Sequence, residues 1–256
     1  EAGDTGRRLV AVDGLFSMEG DVADLERIVP VCEEEEADVY VDEAHAIGVL
    51  GERGAGACEV FAVEDRVQIR TGTLSKALAS QGGFVAASAD VIDHIRFHAR
   101  AMLFTASTPP AAVASALASV RFCRTGERAE RAAVLLDNAR YLRRGLYELG
   151  YDVMPALATE ERGEVITPIV RIGVGDSATT LRMWRALYEA GVYVHAALYP
   201  AVPPAQAMLR ATVIHGHTRE HLDQALTAFE AARRILAGED NGRVREPAGS
   251  VSAARA

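Results

Sequence analysis

Two short apolar segments of the chain each lead into a side chain that could do chemistry. Residues 39–41 lead into Asp42, and residues 67–69 lead into a stretch of small and hydroxyl residues that contains Lys76. A lysine amine can form a Schiff base with an aldehyde, and a carboxylate can keep a pyridine nitrogen protonated. These are the side chains that pyridoxal phosphate requires, so the pair predicts a pocket for this cofactor.

The neighbours of Lys76 favour the same interpretation. Thr73 and Ser75 offer hydroxyl groups to a phosphate, and a lysine among small residues can reach a carbonyl group. Burial or nearby cations can remove its proton and make it a nucleophile. Taken alone, a lysine near a strand end is usually solvated, and an aspartate there usually belongs to a turn or a helix cap. The prediction therefore depends on the two residues together.

Several motifs extend the pattern along the chain, in a fixed order. They are DGLFSMEGD (13–21), VDEAHAIG (41–48), GERGAG (51–56), GTLSKA (72–77), QGGFV (81–85), FTASTPP (104–110), PAVPP (200–204) and LRAT (209–212). Together they resemble the α-oxoamine synthases, which are pyridoxal phosphate enzymes of fold type I that condense an amino acid with an acyl thioester. The resemblance spans residues 8–237.

The resemblance implies an α/β fold of fold type I with two domains. Residues 1–135 are expected to form part of the large cofactor-binding domain, with a largely parallel sheet, and residues 136–237 a smaller α+β domain. Residues 238–256 are rich in charged and small residues and are expected to be a disordered tail. Family members also have an N-terminal segment with a glycine-rich turn and a stacking aromatic residue. We therefore expect the chain to be the C-terminal part of a synthase, or a truncated relative.

The resemblance also assigns roles at the centre of the site. It implies that Lys76 holds the cofactor as a Schiff base and later acts as the base at the substrate Cα. Asp42 pairs with the pyridinium nitrogen, and His45 hydrogen-bonds the phenolic oxygen of the cofactor. Arg210 binds the amino-acid carboxylate, and its place in an otherwise apolar strand independently calls for an anionic partner.

Four hydroxyl residues complete the set of cofactor contacts that the resemblance implies. They are Ser17, Thr73, Thr105 and Ser107. Thr105 and Ser107 belong to a segment that, in this family, reaches the phosphate of a neighbouring subunit. A homodimer with shared active sites is therefore expected. Ser17, Thr105 and Ser107 could instead cap a turn or a helix.

Short apolar runs alternate with helical patterns, which predicts a largely parallel sheet covered on both faces. The predicted strands are residues 9–12, 39–41, 67–70, 83–87, 165–172, 193–197 and 209–214. The predicted helices are residues 24–35, 111–122, 127–149, 178–190 and 219–236, of which 111–122 is expected to pack in the interior. Ligands of such sheets bind beyond the carboxyl ends of the strands, where Asp42 and Lys76 both lie.

Composition limits the partners that the chain can have. The net charge of −9 argues against nucleic acid as a main partner. There is no apolar run long enough to span a bilayer and no signal-peptide-like stretch at residues 1–8. The three cysteines show neither metal-ligand nor disulfide spacing, and the His-x-His pair at 215 and 217 lacks further ligands, so no metal and a cytoplasmic location are expected.

The resulting prediction is a decarboxylative condensation of a small amino acid with an acyl-CoA or another acyl thioester, giving an α-aminoketone. Two alternatives stay open. Another fold-type I enzyme, such as an aminotransferase or a lyase, would share Asp42 and Lys76. A truncated, non-catalytic partner subunit of a full-length synthase would share the motifs but not the activity.

Overall fold

A computed structural model describes residues 6–237, which form two main sheets and the helices packed on them. The first sheet has the strand order β1 (Arg8–Asp13), β2 (Ala37–Asp42), β3 (Ile69–Thr73) and β4 (Gly83–Ala87). Strands β1, β2 and β3 are parallel, whereas β4 runs antiparallel to β3. The largely parallel sheet that the sequence predicts is thus present.

The second sheet is antiparallel and lies in the C-terminal part of the chain. Its strands, in spatial order, are β5 (Asp152–Val153), β8 (Ile169–Gly175), β10 (Ala207–Thr212) and β9 (His195–Ala197). A separate hairpin is formed by β6 (Leu157–Thr159) and β7 (Gly163–Val165).

Eight helices connect and cover these strands within the described residues. They are α1 (Leu25–Glu34), α2 (Ala57–Val60), α3 (Ala89–His98), α4 (Arg100–Leu103), α5 (Pro110–Cys123), α6 (Gly126–Glu148), α7 (Ser177–Glu189) and α8 (Arg219–Leu236). The long helix α6 passes from the first sheet to the second, and the predicted domain boundary at 135/136 falls inside it. The division into two domains stays a prediction.

Local sequence explains why the first core forms as it does. The side chain of Asp24 accepts a hydrogen bond from the Arg27 amide and so caps α1. The buried residues Leu25, Val29 and Cys32 then recur at helical spacing along one face. In β2, Val39 and Val41 are 1% and 0% exposed, and these two side chains pack into the same cluster.

A second core surrounds the antiparallel sheet. Helices α6, α7 and α8 each contribute buried side chains, including Leu146, Leu187 and Phe229, and the sheet contributes Ile172 and Leu209. The ring of Phe229 meets that of Tyr151 edge-on at 5.4 Å between centroids. Leu209 and Ala211, the neighbours of Arg210 in β10, belong to this core, so the packing fixes the strand that carries Arg210.

Three sequence predictions need correction. Residues 165–172 do not form one strand: β7 ends at Val165 and β8 begins at Ile169, because Pro168 between them has no N–H to donate. Helix α5 forms, but only Ala116 is buried, so this helix does not pack in the interior of the chain. The first sheet is incompletely covered, since Leu9 and Val85 are 56% and 40% exposed.

The other element predictions agree with the structure to within a few residues. The predicted tail, residues 238–256, lies outside the described residues. None of the helices between residues 6 and 237 combines the length and apolar character needed to cross a bilayer.

Candidate active site

Asp42 is held at the carboxyl end of β2 by backbone contacts on both sides. The Gly14 amide donates to the Asp42 carbonyl at 2.8 Å, and the Glu43 amide donates to the Thr71 carbonyl at 2.8 Å. The Asp42 carboxylate itself accepts a hydrogen bond from the Ala44 amide at 2.9 Å through Oδ1. The second carboxylate oxygen has no hydrogen-bond partner within residues 6–237, which leaves it available to a ligand.

Lys76 lies in a tight segment that connects β3 to β4. The Leu74 amide donates to the Gly82 carbonyl at 2.9 Å, and the Ser80 amide donates to the Leu74 carbonyl at 2.7 Å. Inside this loop, the hydroxyls of Thr73 and Ser75 are hydrogen-bonded to each other at 2.7 Å. The side chain of Lys76 is exposed.

Lys76 is also the only lysine in the whole sequence, because the other 26 basic residues are arginines. A solvated surface position could be filled by either residue type. A Schiff base needs an amine, which arginine does not have. The absence of any other lysine from the sequence therefore favours a chemical role for Lys76.

His45 lies where the predicted site residues meet. Burial, together with the positive charges of Lys76 and Arg210, lowers the pKa of His45 to about 4, and the negative charge of Asp42 opposes this effect. The imidazole is therefore neutral near pH 7, with one nitrogen as a donor and the other as an acceptor. The charges of Lys76, Arg210 and Asp42 thus all act on His45.

Arg210 connects the second sheet to the loop after β1. Its Nε donates to the carbonyl oxygen of Ser17 at 2.6 Å, and its Nη1 donates to Thr212 Oγ1 at 3.1 Å. Burial lowers the pKa of the half-buried guanidinium. Nη2 has no hydrogen-bond partner in the described part of the chain, so it can still donate to an anion. Ser17 enters the site through its carbonyl group in this structure.

Thr105 and Ser107 do not join this group. Both are exposed, in the segment between α4 and α5, and neither side chain makes a hydrogen bond within residues 6–237. The adjacent Thr108 lies beside the turn at Gly82, 3.5 Å from where a Cβ on that glycine would be. The segment therefore borders the Lys76 loop without reaching the four central residues.

Two acidic residues that the sequence prediction did not single out flank the site. Asp13 is the register partner of Asp42, and its pKa is raised by burial and by the charge of Asp42, while Lys76 lowers it. Glu43 is 2% exposed and accepts the amides of Ala57 and Cys58 at 2.7 and 2.8 Å. Glu43, the residue after Asp42, therefore holds the N-terminus of α2 next to the end of β2.

Comparison with protein-family models identifies the family. Residues 1–229 match the model described as aminotransferase class I and II. The chain belongs to this family. The match covers most of the sequence, including both strands that end in Asp42 and in the Lys76 loop.

Individual relatives of the chain include two kinds of synthase. An 8-amino-7-oxononanoate synthase of Bacillus pumilus is 42% identical over 229 residues, which is 90% of this chain and 56% of that protein. A serine palmitoyltransferase of Sphingobacterium spiritivorum is 37% identical over 86% of this chain and 52% of that protein. This family member thus spans a little over half the length of the curated relatives that it matches.

Solved structures agree with the fold. A serine palmitoyltransferase of Sphingomonas wittichii superposes with a TM-score of 0.81 at 35% identity, covering 91% of this chain and 56% of that chain. Another solved serine palmitoyltransferase, determined with pyridoxal phosphate, gives a TM-score of 0.80 at 35% identity, covering 90% of this chain and 55% of that chain. The resemblance to the α-oxoamine synthases and the fold-type I architecture are confirmed.

The donor set at the site fits pyridoxal phosphate. The free carboxylate oxygen of Asp42 suits a protonated ring nitrogen, and the sole lysine suits the aldehyde. The neutral His45 suits a phenolic oxygen, and the hydroxyls of Thr73 and Ser75 suit a phosphate.

Proposed function

We propose that this chain carries the cofactor-binding and amino-acid-binding residues of an α-oxoamine synthase. The reaction is the decarboxylative condensation of a small amino acid with an acyl-CoA or another acyl thioester, and its product is an α-aminoketone. The observation that carries the proposal is that the charges of Lys76, Arg210 and Asp42 all act on His45, which lies three residues after Asp42 at the end of β2. The named relatives support it, because they are an oxononanoate synthase and serine palmitoyltransferases.

Asp42 and Lys76 perform the acid–base work of the proposal. When bound, pyridoxal phosphate supplies a ring that accepts the electron pair left at the substrate Cα. The Asp42 carboxylate holds the proton on the ring nitrogen, and the hydrogen bond from the Ala44 amide fixes its orientation. The Nζ of Lys76 would hold the cofactor through its aldehyde, and as a free amine it would take the Cα proton.

His45 and Arg210 orient the reactants. Because the His45 imidazole is neutral near pH 7, it donates a hydrogen bond to the phenolic oxygen without adding a charge. Arg210 binds the amino-acid carboxylate through Nη2, while Nε and Nη1 stay on Ser17 and Thr212. Thr73 is proposed to contact the phosphate.

We further propose a homodimer in which Thr105 and Ser107 reach the phosphate site of the partner. The support is the apolar surface around these hydroxyls: Phe97, Leu103 and Phe104 are 74%, 52% and 82% exposed. Apolar groups of this size are usually covered in a soluble protein. The three cysteines are free, which is consistent with the reducing cytoplasm as the compartment of the proposed reaction.

Release of coenzyme A tests the proposed reaction. Purified protein with pyridoxal phosphate is mixed with glycine, alanine or serine and a series of acyl-CoA donors, and the free thiol is measured. Thiol release that requires both the amino acid and the cofactor supports a synthase. Transfer of the amino group to an oxo acid without thiol release would instead show an aminotransferase.

A further inference from the structure

A groove of about 380 Å³ lies between the Lys76 loop and helices α5 and α6. One wall is formed by Gly48 and Val49 of the loop after β2, and by Ala77, the neighbour of Lys76. The other wall is formed by helices α5 and α6. None of the residues assigned to the proposed reaction lines this groove.

The groove combines an apolar surface with two guanidinium groups. Its apolar lining is provided by Val49, Ala118, Phe122, Ala132 and Leu135. The cationic lining is provided by Arg128 and Arg131, and the exposed His215 lies at the same groove. Such a combination matches a ligand with an anionic head and a short apolar body.

Arg128 is the unusual member of the lining because it is buried yet incompletely bonded. It is 5% exposed, and its Nη1 and Nη2 donate to the carbonyls of Gly51 and Glu52. Its Nε has no hydrogen-bond partner within the described residues, and this atom is buried beside Gly54 rather than open to the groove. No carboxylate forms a salt bridge with Arg128 there either. A buried cation without an anion is costly, so the site gains from an added negative group.

Arg131 is more exposed and already has two contacts. Its Nη2 lies 2.5 Å from the Glu127 carboxylate, and its guanidinium carbon lies 5.0 Å from the centre of the Phe122 ring. Glu127 is the acidic side chain that competes with a ligand for Arg131. The stacking holds the Arg131 guanidinium next to the apolar lining. The anionic group of a ligand could therefore contact Arg131 while its apolar chain contacts Phe122.

We propose that this groove binds a short-chain aliphatic carboxylate, with its carboxylate at Arg131, close to the unpaired charge of Arg128, and its chain against Phe122 and Leu135. The ligand would lie beside Ala77 and so one residue from Lys76 in the chain. The proposal is independent of the reaction proposed above, because binding here needs neither cofactor nor turnover.

Cys123 provides a direct readout, since it lines the same groove and is partly exposed. Cys32 and Cys58 are 5% and 0% exposed, so a soluble alkylating reagent should modify Cys123 first. The rate of Cys123 alkylation is measured with and without hexanoate, and peptide mass spectrometry confirms the modified residue. If hexanoate excludes the reagent, the rate falls by the factor 1 + [L]/Kd, which is about tenfold at a ligand concentration of ~10 Kd.

Variants make the test specific. Arg131→Gln, on the helix surface, should abolish most of the protection by hexanoate, and Arg128→Lys should do the same if it folds. Arg140→Gln removes an exposed arginine of the same helix and should leave the protection unchanged. Absence of protection in the unaltered protein, or full protection in Arg131→Gln, would overturn the proposal. Equal protection by inorganic phosphate would overturn the role given to the apolar chain.

Discussion

Asp13 and Asp42 are the last residues of neighbouring parallel strands and are paired in register, so two carboxyl groups lie close together at one edge of the first sheet. The carboxyl groups of Asp13 and Asp42 are not equivalent. Asp42 is oriented by the Ala44 amide, whereas the pKa of Asp13 is raised by its burial and by the charge of Asp42. This difference supports the proposed ring contact for Asp42, with Asp13 as a background charge.

This difference predicts opposite effects for two matched variants. Asp42→Asn should abolish tight binding of pyridoxal phosphate, because an amide cannot hold the proton on the ring nitrogen. Asp13→Asn should retain binding and should raise the free energy of unfolding at neutral pH, since it removes repulsion between two carboxylates. Cofactor titration and denaturant unfolding measure the two effects. Equal loss of cofactor in both variants would contradict the assignment.

The pH dependence of stability should report on His45. Its pKa falls from 6.5 to about 4 on folding, so between these values the unfolded chain binds the proton and the folded chain does not. The free energy of unfolding should therefore decrease as the pH falls through this window. Denaturant unfolding at about pH 7 and about pH 5 should show a smaller decrease for His45→Gln than for the unaltered protein. An identical decrease in both proteins would rule out this linkage.

Arg210 should determine the affinity for the amino acid. Arg210→Lys removes the planar donor group, and the dissociation constant for the amino acid should rise about tenfold to a hundredfold. Arg171 provides the control, because it is the register partner of Arg210 on β8 and pairs with Asp152 at 3.0 Å. Spectral titration of the cofactor-loaded protein measures both variants. If Arg171→Lys raised the dissociation constant for the amino acid more than Arg210→Lys does, Arg210 would not be the residue that binds the carboxylate.

The apolar surface near Thr105 should support association. Phe104→Asp places a charge where the proposed dimer buries a ring, so sedimentation velocity should show a shift toward monomer. Tyr147→Asp, which changes an aromatic side chain that is 72% exposed on α6, should leave the sedimentation coefficient as it is. A dimer that survives Phe104→Asp would show that this surface is not the interface.

Local sequence predicted where Asp42 and Lys76 lie relative to the strands, but it did not predict the long-range contacts. Asp42 and Lys76 follow short apolar runs, and strand ends of this kind converge at one edge of a parallel sheet. The pairing of Asp13 with Asp42 depends on the register between β1 and β2. The contact of Arg210 with Ser17 joins residues 193 positions apart in the chain. Neither relationship is encoded in a local pattern.

Two errors have different physical origins. The break at Pro168 could have been found in the sequence, because a proline lacks the donor that a central strand needs. The exposure of α5 could not, because the apolar composition of residues 111–122 is the same whether this helix is covered by its own chain or by another one.

The central claim is that Lys76 forms the covalent link to the cofactor, and borohydride reduction tests it most directly. Lys76 is the only lysine, so the terminal α-amino group is the other amine that could be labelled. After incubation with pyridoxal phosphate, reduction and digestion, mass spectrometry should find the adduct on Lys76, and Lys76→Arg should lose it together with the visible absorption band. An adduct confined to the terminal amine, or an unchanged visible band in Lys76→Arg, would contradict the account.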